Sequence, residues 1–245
     1  MRRLLAYLAA LAVILLGWHL TALALDSPAL PTPLATLPML YRFAPQLAPD
    51  FLVSIYRVVL AMLLGTVIAM PLGLAVGRSP RLDALLAPLL YILYPIPKIV
   101  LLPVLLVLLG LADAPKIVLI ALTIFFQVLV TVRDAAKAVP PAAVLSVRSL
   151  GASRLDVFTN VVIPASLPEL FTALRISSGT AVAILFFAEA IAGNTGLGYF
   201  IVDSWAMINY PRMFAGIIVM ALLGVVLYEL FDLAERHLTR WRQKR

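Results

Sequence analysis

The chain has 245 residues, 63% hydrophobic and only 13% charged, where a soluble domain carries about 45–50% apolar and about 25% charged residues, so lipid is part of its solvent. Its net charge of +7 sits in short loops and tails between apolar runs, which assigns the charge to membrane orientation rather than to nucleic-acid binding. With no cysteine, disulfides, thiolate catalysis and Cys-based metal sites are excluded.

Arg2 and Arg3 precede an apolar run from Leu4 to Leu25. At about 20 residues it is long enough to span, whereas the apolar region of a signal peptide is about 7–15, so the run is read as a retained first helix with Trp18 and His19 at an interface. Pro28, Pro31, Pro33, Pro38, Pro45 and Pro49 make the next segment extended at first, with a short amphipathic piece over Leu34 to Leu47. Phe51 to Val76 is the second span. Arg57 near its outer end reads as a snorkelling anchor, and Ala61, Gly65, Ala69, Gly73 and Gly77 allow close helix approach.

Asp83 to Val132 reads as two spans divided near Gly110 to Pro115. Pro88, Pro95, Pro97 and Pro103 break the first of them, which is tolerated where protein or a cavity satisfies the freed carbonyls. Lys98 sits in the middle of it. A lysine there costs about 3 kcal/mol or more on insertion scales, so it either attracts an anionic solute or is paired with a carboxylate or carbonyls. Glu169 to Ile191 is the fifth span, with Glu189 toward its outer end. Glu189 lines an outer gate or pairs with a cation such as Arg57. Gly193 to Tyr199 is an outer turn, and Pro211 to Leu233 is the sixth span. The basic tail from Arg236, with Trp241, suits a cytoplasmic interface anchor. With both termini inside, thirteen cations face the cytoplasm against three outside (Arg42, Lys116 and Arg212).

The run Asp134 to Pro168 is the longest internal stretch that cannot sit in a bilayer, and its cations place it in the cytoplasm. Pro140-Pro141 starts a helix whose apolar face is Ala143, Val147 and Leu150. Gly151 ends that helix as a C-cap glycine. Ser153 and Asp156 form a capping box for a second short helix, and Pro164 and Pro168 prepare entry to the next span. A plain connection needs only a few residues, so this helix–corner–helix is read as a docking device.

These residues resemble the cytoplasmic signature of permease subunits of ATP-binding-cassette importers: Glu-Ala-Ala, three residues, Gly, nine residues, Ile, one residue, Leu-Pro. Gly151 stands at the glycine, Val161 at the isoleucine and Ile163-Pro164 at Leu-Pro, without a gap. Leu145-Ser146-Val147 replaces Glu-Ala-Ala, so the acidic docking residue is missing. Ser54 to Val58, Pro95 to Ile99 with Leu101 to Pro103, and Ala188-Glu189 with Gly196 to Tyr199 resemble the nitrate/sulfonate/taurine branch.

The resemblance implies an all-α, six-span polytopic membrane protein with a type I ABC importer permease-like fold. It divides into a first helix and outer loop (1–50), a five-helix core (51–235) with coupling loop 134–168, and a basic tail (236–245). It implies a homodimer in a bacterial-type inner membrane, two ATPase subunits on the loops and a soluble binding protein outside. Coupling would fall to Leu145, Arg148, Ser149, Leu150, Gly151, Ala152, Ser153 and Arg154. The path would be lined by the broken third span and the fifth span, with Pro95, Pro97, Lys98 and Glu189 as candidates.

The chain has no Gly-x-x-x-x-Gly-Lys-Ser/Thr, so the energy must come from a partner; neither catalytic residues, metal nor cofactor is expected. The cargo the resemblance implies is a small solute, an anion such as nitrate, a sulfonate or taurine. An ion-coupled secondary transporter is the rival, as is a permease for a thiamine or flavin precursor. The former normally needs carboxylates near mid-membrane, which the spans before the last lack apart from Glu189.

Overall fold

The computed structural model describes residues 2–240, with side chains from residue 5 onward, and every regular element among them is helical. The side chains of Arg2 and Arg3, and the tail from Trp241, lie outside the described residues. In chain order the helices are α1 Arg2–Leu25, α2 Pro33–Arg42, α3 Ala44–Arg78, α4 Pro80–Leu93, α5 Leu102–Leu109, α6 Asp113–Lys137, α7 Pro141–Ser149, α8 Arg154–Val157, α9 Ile163–Ala192, α10 Leu197–Ala206 and α11 Tyr210–Leu238. Among the described residues, five helical runs are long and apolar enough to cross a membrane: α1, α3, α6, α8 through α9, and α11. A sixth is present if α4 and the segment Lys98–Leu109, bent by 81°, count as one broken span.

Three boundaries differ from the sequence expectation. Helix α3 starts at Ala44, seven residues before Phe51, because Pro45 falls in its first turn, where a missing N–H costs nothing. The second short helix is not a separate element. It passes through a π-helical turn, Phe158–Val162, straight into α9, and that local widening accommodates Pro164, which has no N–H to donate. The turn expected over Gly193 to Tyr199 ends at Gly196, where the ten-residue helix α10 begins with Leu197.

The chain forms two compact units, Met1–Ser54 with Glu189–Leu222, and Ile55–Ala188 with Leu223–Arg245. In the first, Trp18 donates from Nε1 to the Pro31 carbonyl at 2.9 Å and stacks on Phe214 at 5.5 Å. The indole therefore ties α1 to the loop before α2 and to α11. Phe43 meets Phe200 edge-on, and Arg212 lies over both rings while pairing with Asp203 at 2.9 Å.

In the second unit α6 is the enclosed helix, with 56% of its apolar window buried against 6% for α1. The small residues of α3 recur every fourth position, Ala61, Gly65, Ala69, Gly73 and Gly77, and meet α6 there. A Cβ at Gly65 would come within 2.6 Å of the Ala121 carbonyl oxygen, and one at Gly73 within 2.9 Å of that of Leu129. Backbones this close leave room for no side chain, which is how helices associate where lipid removes the hydrophobic drive. Ion pairs fix the other helices. Asp83 of α4 accepts from Arg133 Nε at 2.5 Å and Lys137 Nζ at 2.8 Å, both on α6. Arg175 of α9 pairs with Asp232 and Glu235 of α11, each at 3.0 Å.

Candidate functional site

The corner between α7 and α8 is built by two opposed caps. At the end of α7, Gly151 N–H donates to the Arg148 carbonyl at 3.0 Å and Ala152 N–H to that of Val147 at 3.4 Å. This is the pairing of a Schellman motif, and it needs the left-handed backbone that Gly151 supplies at φ +88°. Two residues later Ser153 restarts the helix. Its Oγ accepts from Asp156 N–H at 3.2 Å, while its own N–H donates to Asp156 Oδ2 at 2.8 Å. The expected capping box is therefore complete.

On α7, Ala143, Val144 and Val147 form the half-buried face. Leu150 was expected to share it and does not: it lies one residue past the helix and is 87% exposed. With Leu145 at 64% and Leu155 at 69% it leaves three leucines facing outward around the corner. Ser149 Oγ donates back to the Ser146 carbonyl at 2.9 Å, and Ala152 is half-buried. Arg148 and Arg154 line one cavity with Arg78, over Val144, Val157 and Phe158.

The break after α4 has its own closure. Pro95 and Pro97 cannot donate, so the carbonyls at the end of α4 lose their helical partners. Lys98 replaces them. Its ammonium donates to the carbonyls of Leu93 at 2.8 Å, Tyr94 at 3.1 Å and Ile96 at 2.7 Å, and it sits 4.6 Å from the centre of the Phe126 ring. All three of its N–H donors are thus directed to backbone. The same segment walls a cavity of about 340 Å³ whose other side is α6 and α9.

Glu189 of α9 is fully buried and lies against the N-terminus of α10. Its carboxylate accepts from Ser54 Oγ at 2.9 Å and from Gly198 N–H at 2.9 Å. Leu197 N–H donates to Ser54 Oγ at 2.9 Å, and Gly196 N–H to Asp50 Oδ1 at 2.7 Å. Three orphan donors of a helix N-terminus therefore meet acceptors, two of them anionic, as the helix dipole favours. Gly196 holds φ +105°, and a Cβ there would collide with the Glu189 carboxyl group. The Gly196-Leu197-Gly198 run is thus the seat of Glu189.

Arg57 is 2% exposed rather than snorkelling: it donates to Asp113 at the start of α6 through Nε and Nη2. The anchor reading failed because Asp113 was placed in a loop, where it could not be seen as a partner. Sequence reasoning also passed over Gln127 and Thr180, which face the cavity behind Lys98. The available signal was Gln127 itself, an amide in the otherwise apolar middle of α6.

Residues 61–240 match the family described as the inner membrane component of binding-protein-dependent transport systems. The taurine transport system permease protein TauC of Escherichia coli is 33% identical over 240 residues, 94% of this chain and 87% of that protein. A putative aliphatic sulfonates transport permease protein of Bacillus subtilis, SsuC, is 32% identical over 190 residues, 78% of this chain and 69% of that protein. Among solved structures, a chain of the inward-facing MetNI methionine ABC transporter superposes with a TM-score of 0.67, covering 81% of this chain and 98% of that one at 20% identity.

Proposed function

The chain belongs to this family of inner-membrane transport components, the permease subunits of ABC importers rather than enzymes, and on that premise we propose how its parts divide the work. Residues 1–50 are an anchoring helix and outer loop, 51–235 the translocating core and 236–245 a basic cytoplasmic tail. Both termini and the corner at Gly151 face the cytoplasm, in keeping with the thirteen-to-three cation bias. Two copies pair around the path, an ATPase subunit grips each corner, and a soluble binding protein delivers solute from outside. The cargo is a small anion of the sulfonate, taurine or nitrate kind.

The observation that carries this reading is the corner's construction. Leu145, Leu150 and Leu155 point outward from a turn clamped by a Schellman motif and a capping box. The turn is continuous through the π-helical segment with α9. Apolar side chains on a stiff elbow give a partner something to hold, and α9 carries the movement into the core, a two-state rearrangement. Coupling thus rests with Leu145, Leu150, Gly151 and Ser153, supported by Arg148, Ser149, Ala152 and Arg154. Pro95, Pro97, Lys98 and Glu189 are the candidates for the translocation path.

The native chain has no cysteine, so single cysteines report cleanly. Ser149→Cys should react with an impermeant thiol reagent only in inside-out vesicles and become protected when the ATPase is bound. Leu150→Glu should abolish copurification of the ATPase. Labelling of Ser149→Cys from the outer face, or full ATPase recovery with Leu150→Glu, would remove the reading.

A further inference from the structure

We propose that the cavity between the end of α3 and the α7–α8 corner binds the phosphate of an anionic phospholipid, with Arg78, Arg148 and Arg154 as its donors. The leaflet, the cytoplasmic one, rests on the inward orientation of the corner in the permease reading. The cavity is about 360 Å³, and besides the three arginines it is lined by Val144, Val157, Phe158 and Val162. The arginines are exposed, whereas Val157 and Val162 are buried, so a cationic rim stands over an apolar floor.

Helical spacing brings the two kinds of side chain to one place. On α7, Val144 and Arg148 are four residues apart, and Val157 and Phe158 follow Arg154 by three and four. Residues at these intervals share a helix face, so each short element gives the cavity one arginine with apolar company. Leu145 falls on a different face from Val144 and stays 64% exposed. The surface offered to the ATPase and the cavity are therefore separate features of the corner.

The charge of the rim is unanswered. Among the described residues none of the three arginines pairs with a carboxylate, and no Asp or Glu lines the cavity. Arg78 donates only to the Ala136 carbonyl, at 3.4 Å. The carboxylates of neighbouring elements are engaged elsewhere: Asp83 by Arg133 and Lys137, Asp134 by Arg133, and Asp156 by Ser153. Like charges around one space repel until an anion lies between them. Each guanidinium can present paired N–H groups to phosphate oxygens, a match that an ammonium lacks. The depth and the floor favour a lipid as the source of that phosphate. Arg78 ends α3 two residues, about 3 Å of helix, beyond Val76, where the apolar run stops, and this is headgroup level. A free anion would use the rim alone, whereas the valines and Phe158 give the start of an acyl chain a surface to lie on.

The test uses the purified full chain without its ATPase, in a neutral detergent, with three additions at equal phosphate concentration. These are phosphatidylglycerol, zwitterionic phosphatidylcholine and inorganic phosphate. Phosphatidylglycerol should raise the Tm by about 2 °C or more beyond either of the others. Arg148→Gln and Arg154→Gln, each measured against its own lipid-free Tm, should lose most of that increment. Arg81→Gln removes a charge from the same cytoplasmic turn as Arg78 but does not line the cavity, and it should keep the increment. Equal shifts for the two lipids, or an equal loss in Arg81→Gln and Arg148→Gln, overturns the proposal. A shift with inorganic phosphate as large as that with phosphatidylglycerol assigns the cavity to a free anion and overturns the lipid. No lipid increment, together with loss of ATPase copurification in Arg148→Gln, assigns it to an acidic side chain of the ATPase and overturns the lipid as well. The permease reading is judged apart, by copurification of the ATPase with the parent chain and its loss in Leu150→Glu, a residue outside the cavity.

Discussion

Arg57 Nε and Nη2 both reach a single oxygen, Oδ1 of Asp113, at 2.8 and 2.6 Å. The pair joins the first half of α3 to the first residue of α6, with Arg57 2% and Asp113 44% exposed. A buried guanidinium depends on its acceptors, so removing the carboxylate should cost more than an exposed pair's roughly 0–1 kcal/mol, on the order of 1–3 kcal/mol. Asp113→Asn should lower the melting temperature of the purified protein. Arg57→Lys should not restore it, because a lysine cannot present two N–H groups to one carboxylate in this plane. Fluorescence-detected gel filtration after heating measures both, and an unchanged midpoint for Arg57→Lys would show that the fork is dispensable.

Asp83 serves two cations of unequal burial. Arg133 has a side chain 8% exposed, whereas that of Lys137 is 58% exposed. Lys137→Gln should therefore cost well under about 1 kcal/mol, since water screens that bond. Arg133→Gln loses the buried partner and should cost on the order of 1–3 kcal/mol. Asp83→Asn should resemble Arg133→Gln, because it takes away the arginine's short carboxylate partner and leaves Asp134 at 3.2 Å and the Tyr91 side chain. Thermal midpoints of the three variants check the ranking, and the Lys137 variant alone should lose its small effect at high salt.

These pairs mark where the sequence stops being legible. The apolar runs, the proline break and the Gly151 and Ser153 caps are all local patterns, and each appears in the structure within a few residues of its expected place. The orientation of Leu150 depended on whether the helix ended one residue earlier, and boundaries of that kind are set by the cap itself. Helix α10 was missed because its ten residues are too few to stand out beside a spanning run. The partners of Arg57, Lys98 and Glu189 come from distant positions or from backbone, and no spacing rule encodes a carbonyl as a ligand. Gln127 was visible as a polar residue in an apolar run, but only the neighbouring α4–α5 break gives it a cavity to face.

At Gly151 conformation is the constraint and size is not. No atom lies within 4 Å of where its Cβ would be, yet φ is +88°. Gly151→Asn should be tolerated, since asparagine enters the left-handed region readily, whereas Gly151→Val should cost about 1–2 kcal/mol at the corner. Ser153→Ala should cost about 1 kcal/mol through loss of its side-chain cap. In reconstituted transporter, Gly151→Val and Ser153→Ala should lower solute uptake per ATP hydrolysed, and amide exchange at 151–157 should quicken in both. A Gly151→Val protein whose corner exchanges as slowly as the parent would show that another residue sets the turn.

Gly73 and Gly179 occupy helix interiors and should respond in opposite directions to the same substitution. At Gly73 a Cβ would meet the Leu129 carbonyl oxygen at 2.9 Å, Val132 Cβ at 3.1 Å and Arg133 N at 3.2 Å, so two backbones must part to admit it. Gly73→Ala should destabilise by about 1–3 kcal/mol, the usual penalty of overpacking. At Gly179 nothing lies within 4 Å. Gly179→Ala there removes backbone freedom from the unfolded chain without a clash and should stabilise by roughly 0.5–1 kcal/mol. Because the added atom is identical, the difference isolates the α3–α6 approach from helix propensity. Comparing melting temperatures of the two variants in one detergent measures it, and a Gly73→Ala protein as stable as Gly179→Ala would mean that the α3–α6 contact is looser than the small-residue stripe implies.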